Sequence, residues 1–298
     1  MLSYKNDNCD SVFILACSEG VYDIFDIFLM SSKCTEKVLC VTDDFGKNCL
    51  FFTIGFGIIS NILKLLDHHA VTDNIILATD NDGDNILTYL SNFENDTYLH
   101  FFKHPKIQDN LHTLLQSTNN SWHPCLYICN YAPICFKYLV ETGHINKNLI
   151  DISIADNWSC LTISAKRNPA LIQYLLDTKL FTDELISLQS DPFDKSQIGN
   201  DLDELDNMNS NVKSYIIKGG YTFLHFLAIF HPNMFVTILA TNIQLFKFLH
   251  ITANSNLTCF DYLKYALEND LSTCNICCEK KRISCNALWR HMLRKLYI

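Results

Sequence analysis

Apolar residues along this chain fall into short blocks that return at a nearly constant interval. Their central positions are Phe13, Leu50, Leu87, Leu126, Leu161, Leu224 and Phe260, separated by 37, 37, 39, 35, 63 and 36 residues. The best-formed block is Gly220-Tyr221-Thr222-Phe223-Leu224-His225. Gly46-Lys47-Asn48-Cys49-Leu50-Phe51 and Gly83-Asp84-Asn85-Ile86-Leu87-Thr88 are weaker copies, and Ser159-Cys160-Leu161-Thr162 and Thr258-Cys259-Phe260-Asp261 keep the centre of it. A period of roughly 20 to 50 residues is the signature of a stacked array, in which one unit cannot bury its apolar face without the next.

Each copy predicts two helices. The first opens at Ser11, Asn48, Asn85, Ser159, Thr222 or Thr258, side chains whose oxygen can accept from a free N–H of the first turn. The second lies in apolar runs such as Ile24–Leu29, Ile62–Leu66, Tyr98–Phe102, Cys135–Leu139, Leu171–Leu176 and Phe235–Leu239. Helices this apolar need cover on more than one side, which neighbouring repeats supply. A third segment reads Lys37–Asp43, Asn74–Asp80 and Asn148–Asp156, with Asp44-Phe45-Gly46, Asn81-Asp82-Gly83 and Asn157 following. β-branched residues running into Asp, Asn and Gly predict a short extended run entering a tight turn. The 63-residue interval implies an insertion, placed at 183–210 around the acidic run Asn200–Asn207, as a loop or one collapsed repeat.

Composition narrows the function classes. With 48% hydrophobic and 18% charged residues, the 298-residue chain can bury a core. A net charge of −9 argues against nucleic acid, which calls for clustered Lys and Arg. The most apolar stretch, Tyr221–Ala240, carries His225, His231, Pro232 and Asn233, which a membrane span would bear badly. The opening residues lack an apolar signal core, so a cytoplasmic protein is expected. Of fourteen cysteines, Cys49, Cys125, Cys160 and Cys259 precede an anchor. That points to small, buried, reduced thiols and not to a disulfide framework.

The pattern resembles the ankyrin repeat: two helices and a turn, with a Thr-Pro-Leu-His-like opening at Thr222-Phe223-Leu224-His225. Ser11–Gly20 followed by Val21–Phe25 is similar to the ankyrin run from that opening through Ala and Gly into the second helix. No copy keeps the motif's Pro, and only His225 stands at its His position. The resemblance covers most of residues 10–268. It implies an all-α, ankyrin-like helical-repeat solenoid of about seven degenerate repeats (1–271), followed by a Cys-containing tail and capping helix (272–298). Ankyrin-like proteins of large DNA viruses and intracellular bacteria diverge in this way, and for such an origin the host cytoplasm or nucleus is the expected location.

The resemblance further implies a monomeric, non-catalytic scaffold that binds another protein through the concave face of hairpin turns and first helices. Expected contacts are Phe45, Asp82, Asp84, Trp122, Trp158 and Tyr221, at or beside the turns; exposed aromatic residues are enriched at binding hot spots. No cofactor is expected. The alternative is a zinc site in the tail, from Cys274, Cys277, Cys285 and His291, in an adaptor for ubiquitin machinery. Against it, Leu288, Trp289, Met292, Leu293 and Leu296 form one helix face suited to capping the array. The run Thr79–Asp84 is a turn and not a calcium loop, since Ala78 and Tyr89 would fall at ligand positions.

Overall fold

In the computed structural model the described residues are 12–18, 22–89, 95–117, 123–152, 158–190 and 220–268. They belong to two compact units, Met1–Ala155 and Asp156–Ile298. Every regular element among them is helical; isolated bridges join Thr79 to Asn85 and Thr252 to Thr258. No described helix is long and apolar enough to cross a membrane.

The first unit stacks helix pairs in chain order. Val12–Ser18 and Tyr22–Met30 form one pair, Cys49–Phe56 and Ile59–Asp67 the next, and Pro124–Tyr131 and Pro133–Glu141 another. The second unit contains Cys160–Arg167 with Pro169–Asp177, Phe223–Phe230 with Pro232–Thr241, and Cys259–Glu268. First helices pack on first helices: Val12–Ser18 lies on Cys49–Phe56, and Phe223–Phe230 lies between Cys160–Arg167 and Cys259–Glu268. Phe13, Leu50, Leu87, Leu126, Leu161 and Leu224 are all buried in these stacks. The ankyrin-like, all-α repeat organisation is therefore present in both units.

The first helices after Asn48, His123, Ser159 and Thr222 open inside the stack, where their free N–H groups meet little water, so a side chain must satisfy them. Asn48 accepts from the Leu50 amide at 2.9 Å, and its Nδ2 donates to the Ile75 carbonyl in the third helix of the same repeat at 3.0 Å. Asn85 repeats both bonds, with Leu87 at 2.8 Å and Leu114 at 2.8 Å. Ser159 with Thr162, Thr222 with His225, and Thr258 with Asp261 form reciprocal caps.

Four readings of the sequence are corrected. The third segment is a short helix, Glu36–Leu39, Asp73–Ile76 or Lys147–Ile152, and not an extended run. Thr35 and Thr72 precede these helices in extended geometry, and Glu36 and Asp73 sit favourably in the first turn. Around Leu87 the described backbone is turn, and the third segment of that repeat is lengthened into the helix Pro105–Gln116. At Pro124–Tyr131 the cap is His123, so Cys125 takes the place of Leu50 and the apparent register was one residue off. The insertion opens later than residue 183. Asp183–Ser187 is the third helix of its repeat, and Ser190 pairs with Tyr221 (N···O 2.9 Å) and Gly220 (2.7 Å) as Asp43 pairs with Lys47 and Gly46. The chain thus departs from a hairpin tip after Ser190 and rejoins it at Gly220; residues 191–219, like the tail from 269, lie outside the described residues.

Three helix pairs share a joint invisible to the periodicity. Ala132, Asn168 and His231 adopt nearly the same conformation (φ −133°, −132°, −137°; ψ 62°, 61°, 59°), each followed by Pro133, Pro169 or Pro232 at the start of the second helix. The residue before proline is pushed out of the helical region, while proline suits a first helical turn.

The hairpins touch one another at glycine. Gly46 has φ +82°, and a Cβ there would lie 2.9 Å from the Asn81 backbone nitrogen and 2.6 Å from its Oδ1. Gly143 has φ +78° and open space around it. Both Gly→Ala changes incur left-handed backbone strain, but only Gly46→Ala also forces two hairpins apart. Urea unfolding should show Gly143→Ala losing about 1 kcal/mol and Gly46→Ala about 3 kcal/mol or more. Equal losses would mean that the hairpins are not packed side by side.

Candidate functional site

The hairpin Asp43–Lys47 is fixed by the Asp43 carboxylate, which accepts from the amides of Phe45 (3.0 Å) and Lys47 (2.8 Å). Asp80 does the same for Asp82 (3.0 Å) and Asp84 (2.9 Å). The two hairpins are joined laterally: the Asn81 amide donates to the Phe45 carbonyl at 2.9 Å, and Asn81 Nδ2 to the Asp44 carbonyl at 2.8 Å. Phe45 is thereby held by its backbone while its ring stands 66% exposed. An apolar ring presented this way on ordered backbone needs little further ordering to be bound.

Beside it lies a polar and aromatic cluster that the sequence reading missed in part. Lys47 Nζ stands 5.5 Å from the centre of the Phe45 ring and 4.8 Å from that of Tyr89. The Tyr89 hydroxyl donates to Asp80 Oδ2 at 2.6 Å, and its ring meets Phe51 edge-on at 5.1 Å. Burial, the Asp80 hydrogen bond and the nearby carboxylates all push the Tyr89 phenol upward, so it stays a neutral donor. Asp82 is exposed and Asp84 half-buried at the same edge.

The first helices continue this surface. On Cys49–Phe56 the positions left out of the core are Phe52, Gly55 and Phe56; on Pro124–Tyr131 they are Tyr127, Asn130 and Tyr131. Counted from the caps Asn48, Asn85 and His123, Phe52, Tyr89 and Tyr127 occupy one register position, and Phe56 and Tyr131 another. Phe56 is 44% exposed and Tyr131 40% exposed; Tyr127 and Tyr131 stack at 6.2 Å. A Cβ on Gly55 would meet nothing within 4 Å, so the helix face is open there. Aromatic residues four apart on the first helices Cys49–Phe56 and Pro124–Tyr131 were the available signal, hidden by the one-residue shift at His123.

Of the predicted contacts, Phe45, Asp82 and Asp84 sit together on this edge. Tyr221 does not belong with them: it is fully buried, its hydroxyl 3.0 Å from that of Tyr262 and its ring packed on His225 and Phe226. It occupies the register position of Lys47, but there the side chain turns into the core. Trp158 is also buried, 5.1 Å from Phe226, with Lys166 Nζ 5.7 Å from its ring. Trp122 and the alternative zinc ligands Cys274, Cys277, Cys285 and His291 lie outside the described residues.

Elsewhere the reactive residue types are committed to structure. His225 Nδ1 accepts from the Thr222 amide at 3.1 Å and lies 2.9 Å from its hydroxyl. Burial lowers its pKa to about 4, opposed in part by the Leu257 and Ile251 backbone. His123 Nδ1 accepts from the Cys125 amide at 3.2 Å, and burial likewise brings it to about 4. Cys49 and Cys259 each point Sγ at a carbonyl ten residues upstream, Leu39 and Leu249. Burial raises Cys17 and Cys259 to about 12 and pushes Cys49 well up, away from the thiolate that nucleophilic chemistry needs. The described cysteines are free thiols. Among the described residues no group of three or more His, Cys, Asp or Glu is placed to hold a metal.

The histidine caps fix a pH dependence. Their folded pKa lies below the unfolded value, so the unfolded chain binds more protons between the two. Stability is complete above about pH 6.5 and is lost as pH falls toward about 4. Replacing His225 by Thr imitates the Ser159–Thr162 cap without a titrating group. The drop in unfolding free energy between about pH 7 and about pH 4.5 should be smaller in this variant by on the order of 2 kcal/mol. Identical pH dependence in wild type and variant would show that His225 is not buried in its neutral form.

No known family profile matches this chain, and no curated protein matches it. Solved structures do. A chain from the complex of the Bd0816 predatory endopeptidase of Bdellovibrio bacteriovorus with immunity protein Bd3460 aligns with a TM-score of 0.45 at 14% identity, over 75% of this chain and 91% of that one. The ankyrin repeat domain of Bcl-3, a member of the IkappaB protein family, aligns with a TM-score of 0.35 at 13% identity, over 87% and 80%. Paired helices, capped first helices in contact, and laterally bonded hairpins with left-handed glycine together give this chain an ankyrin-like repeat fold.

Proposed function

We propose that this chain is a non-catalytic binding scaffold that captures another protein on the hairpin and first-helix surface of its first unit. The observation that carries the reading is the alignment of Phe52, Tyr89 and Tyr127, and of Phe56 and Tyr131, at equivalent positions counted from the caps of successive repeats, with Phe45 at the hairpin edge. Core packing does not require aromatic residues at these places, since the same helices bury other side chains. Large, stiff rings on a pre-ordered backbone are what protein interfaces use as anchors. The non-catalytic reading is supported by histidines employed as helix caps and thiols raised away from nucleophilic use.

The partner surface complementary to this face is apolar with basic groups, because Asp44 and Asp82 stand exposed beside Phe45. Affinity capture with wild-type protein as bait, followed by quantification of each retained protein against variants, tests the reading. The Phe45→Ala, Tyr131→Ala double variant should lower retention of the genuine partner about tenfold or more. Met30→Ala, an exposed change away from the face, should leave it unchanged, and thermal midpoints of all three proteins should agree closely. A partner retained equally by the double variant would place the interface elsewhere.

A further inference from the structure

The cluster at the first hairpin edge already holds a cation, and it is the chain's own. Lys47 Nζ lies over two ring faces, 5.5 Å from Phe45 and 4.8 Å from Tyr89, within the range at which a ring quadrupole attracts a positive charge. Among the described residues its ammonium is paired with no carboxylate. The hairpin segments 42–48 and 79–85 carry five carboxylates, Asp43, Asp44, Asp80, Asp82 and Asp84, against this one lysine. Asp43 and Asp80 are engaged by backbone amides. Asp44 and Asp82 are exposed and face no cation among the described residues.

We propose that Phe45 and Tyr89, flanked by Asp44 and Asp82, form a cation seat for an arginine side chain on an extended segment of the partner protein, and that Lys47 is its resident occupant in the free state. This rests on the reading of the first unit's face as the binding surface. The Lys47 backbone is tied to Asp43 on both sides, its amide donating to Oδ1 at 2.8 Å and its carbonyl accepting from the Asp43 amide at 3.1 Å. Only the flexible side chain has to leave. A guanidinium suits the vacated place better than an ammonium, because it is planar, stacks on aromatic faces and is more weakly hydrated. It also reaches two carboxylates with its forked donors, which a point charge does not do as well. Tyr89 is held ready by the Asp80 hydrogen bond and Phe45 by the Asn81 amide, so the seat is formed before binding.

The test uses the full-length protein and three labelled peptides of equal length, identical except for two positions that hold arginine, lysine or citrulline around a leucine. Fluorescence anisotropy gives each affinity for wild type, Lys47→Met, Lys137→Met and Phe45→Ala. Lys47→Met removes the competitor, so it should bind the arginine peptide about three- to fivefold more tightly than wild type, the equivalent of one exposed cation–π contact. Lys137→Met deletes the same charge on another helix and should stay within about twofold of wild type. The arginine peptide should outrank lysine, and lysine citrulline; Phe45→Ala should erase the ranking. If Phe45→Ala weakens binding but Lys47→Met behaves like Lys137→Met, the cation seat is wrong and the binding face stands. If neither variant matters, or citrulline binds as well as arginine in every protein, the seat falls, and in the former case the face falls with it.

Discussion

The first helices capped by Asn48, His123, Ser159 and Thr222 begin in a dry place. Stacking buries the helix entrance against the next repeat, and the first amides lose access to water without gaining an intrahelical partner. Leaving such a group unsatisfied costs about 1–3 kcal/mol, which in a protein of marginal stability is a large share of the total. The chain answers with a polar side chain at each entrance. Asn48 and Asn85 go further, because the same side-chain amide that caps the opening of a repeat also donates to a carbonyl in the third helix of that repeat. The cap therefore sets both where a helix starts and how the third helix of its repeat lies against it. His225 and His123 do this with an imidazole nitrogen that must stay unprotonated, which makes the stack sensitive to acid.

From the stacking of first helices follows the surface. With repeats set one beside another, the hairpins between them come close enough for the Asn81 amide to reach the Phe45 carbonyl, and close enough that only glycine fits at Gly46. Gly220 and Asn254 repeat this contact in the second unit, where a Cβ would come 2.5 Å from the Asn254 nitrogen. Hairpins bonded edge to edge lose their freedom before any partner arrives. What projects from them in the first unit is an aromatic edge with carboxylates beside it.

The array was legible because anchors such as Leu50, Leu161 and Leu224 must be apolar wherever a first helix crosses the core, and nothing else in the chain imposes that interval. Capping residue types located the helix starts for the same reason. Readings failed where a local feature had two physical solutions. Ile75, Ile76 and Ile150 favour a strand by type, yet a short helix buries the same side chains without a pairing partner. His123 caps as well as Asn does, but histidine is not an expected cap, so the register slipped to Leu126. The aromatic character of Tyr221 suggested a contact, and it was spent on the core; sequence alone does not say to which side of a hairpin a ring turns. The binding edge was half visible in Phe45, Asp82 and Asp84. Lys47, Tyr89, Phe56 and Tyr131 became apparent only when the helices were aligned by their caps.

The central claim is that the hairpins of the first unit are locked side by side in the free protein, so that the Phe45 edge exists before a partner binds. Amide hydrogen exchange at Asn81 reads this directly, because that single N–H donates across the two hairpins. The account predicts that it exchanges as slowly as the helical amides of Cys49–Phe56 and speeds up in the Gly46→Ala variant. An Asn81 amide that exchanges at the rate of an unstructured peptide, while those helical amides remain protected, would contradict it.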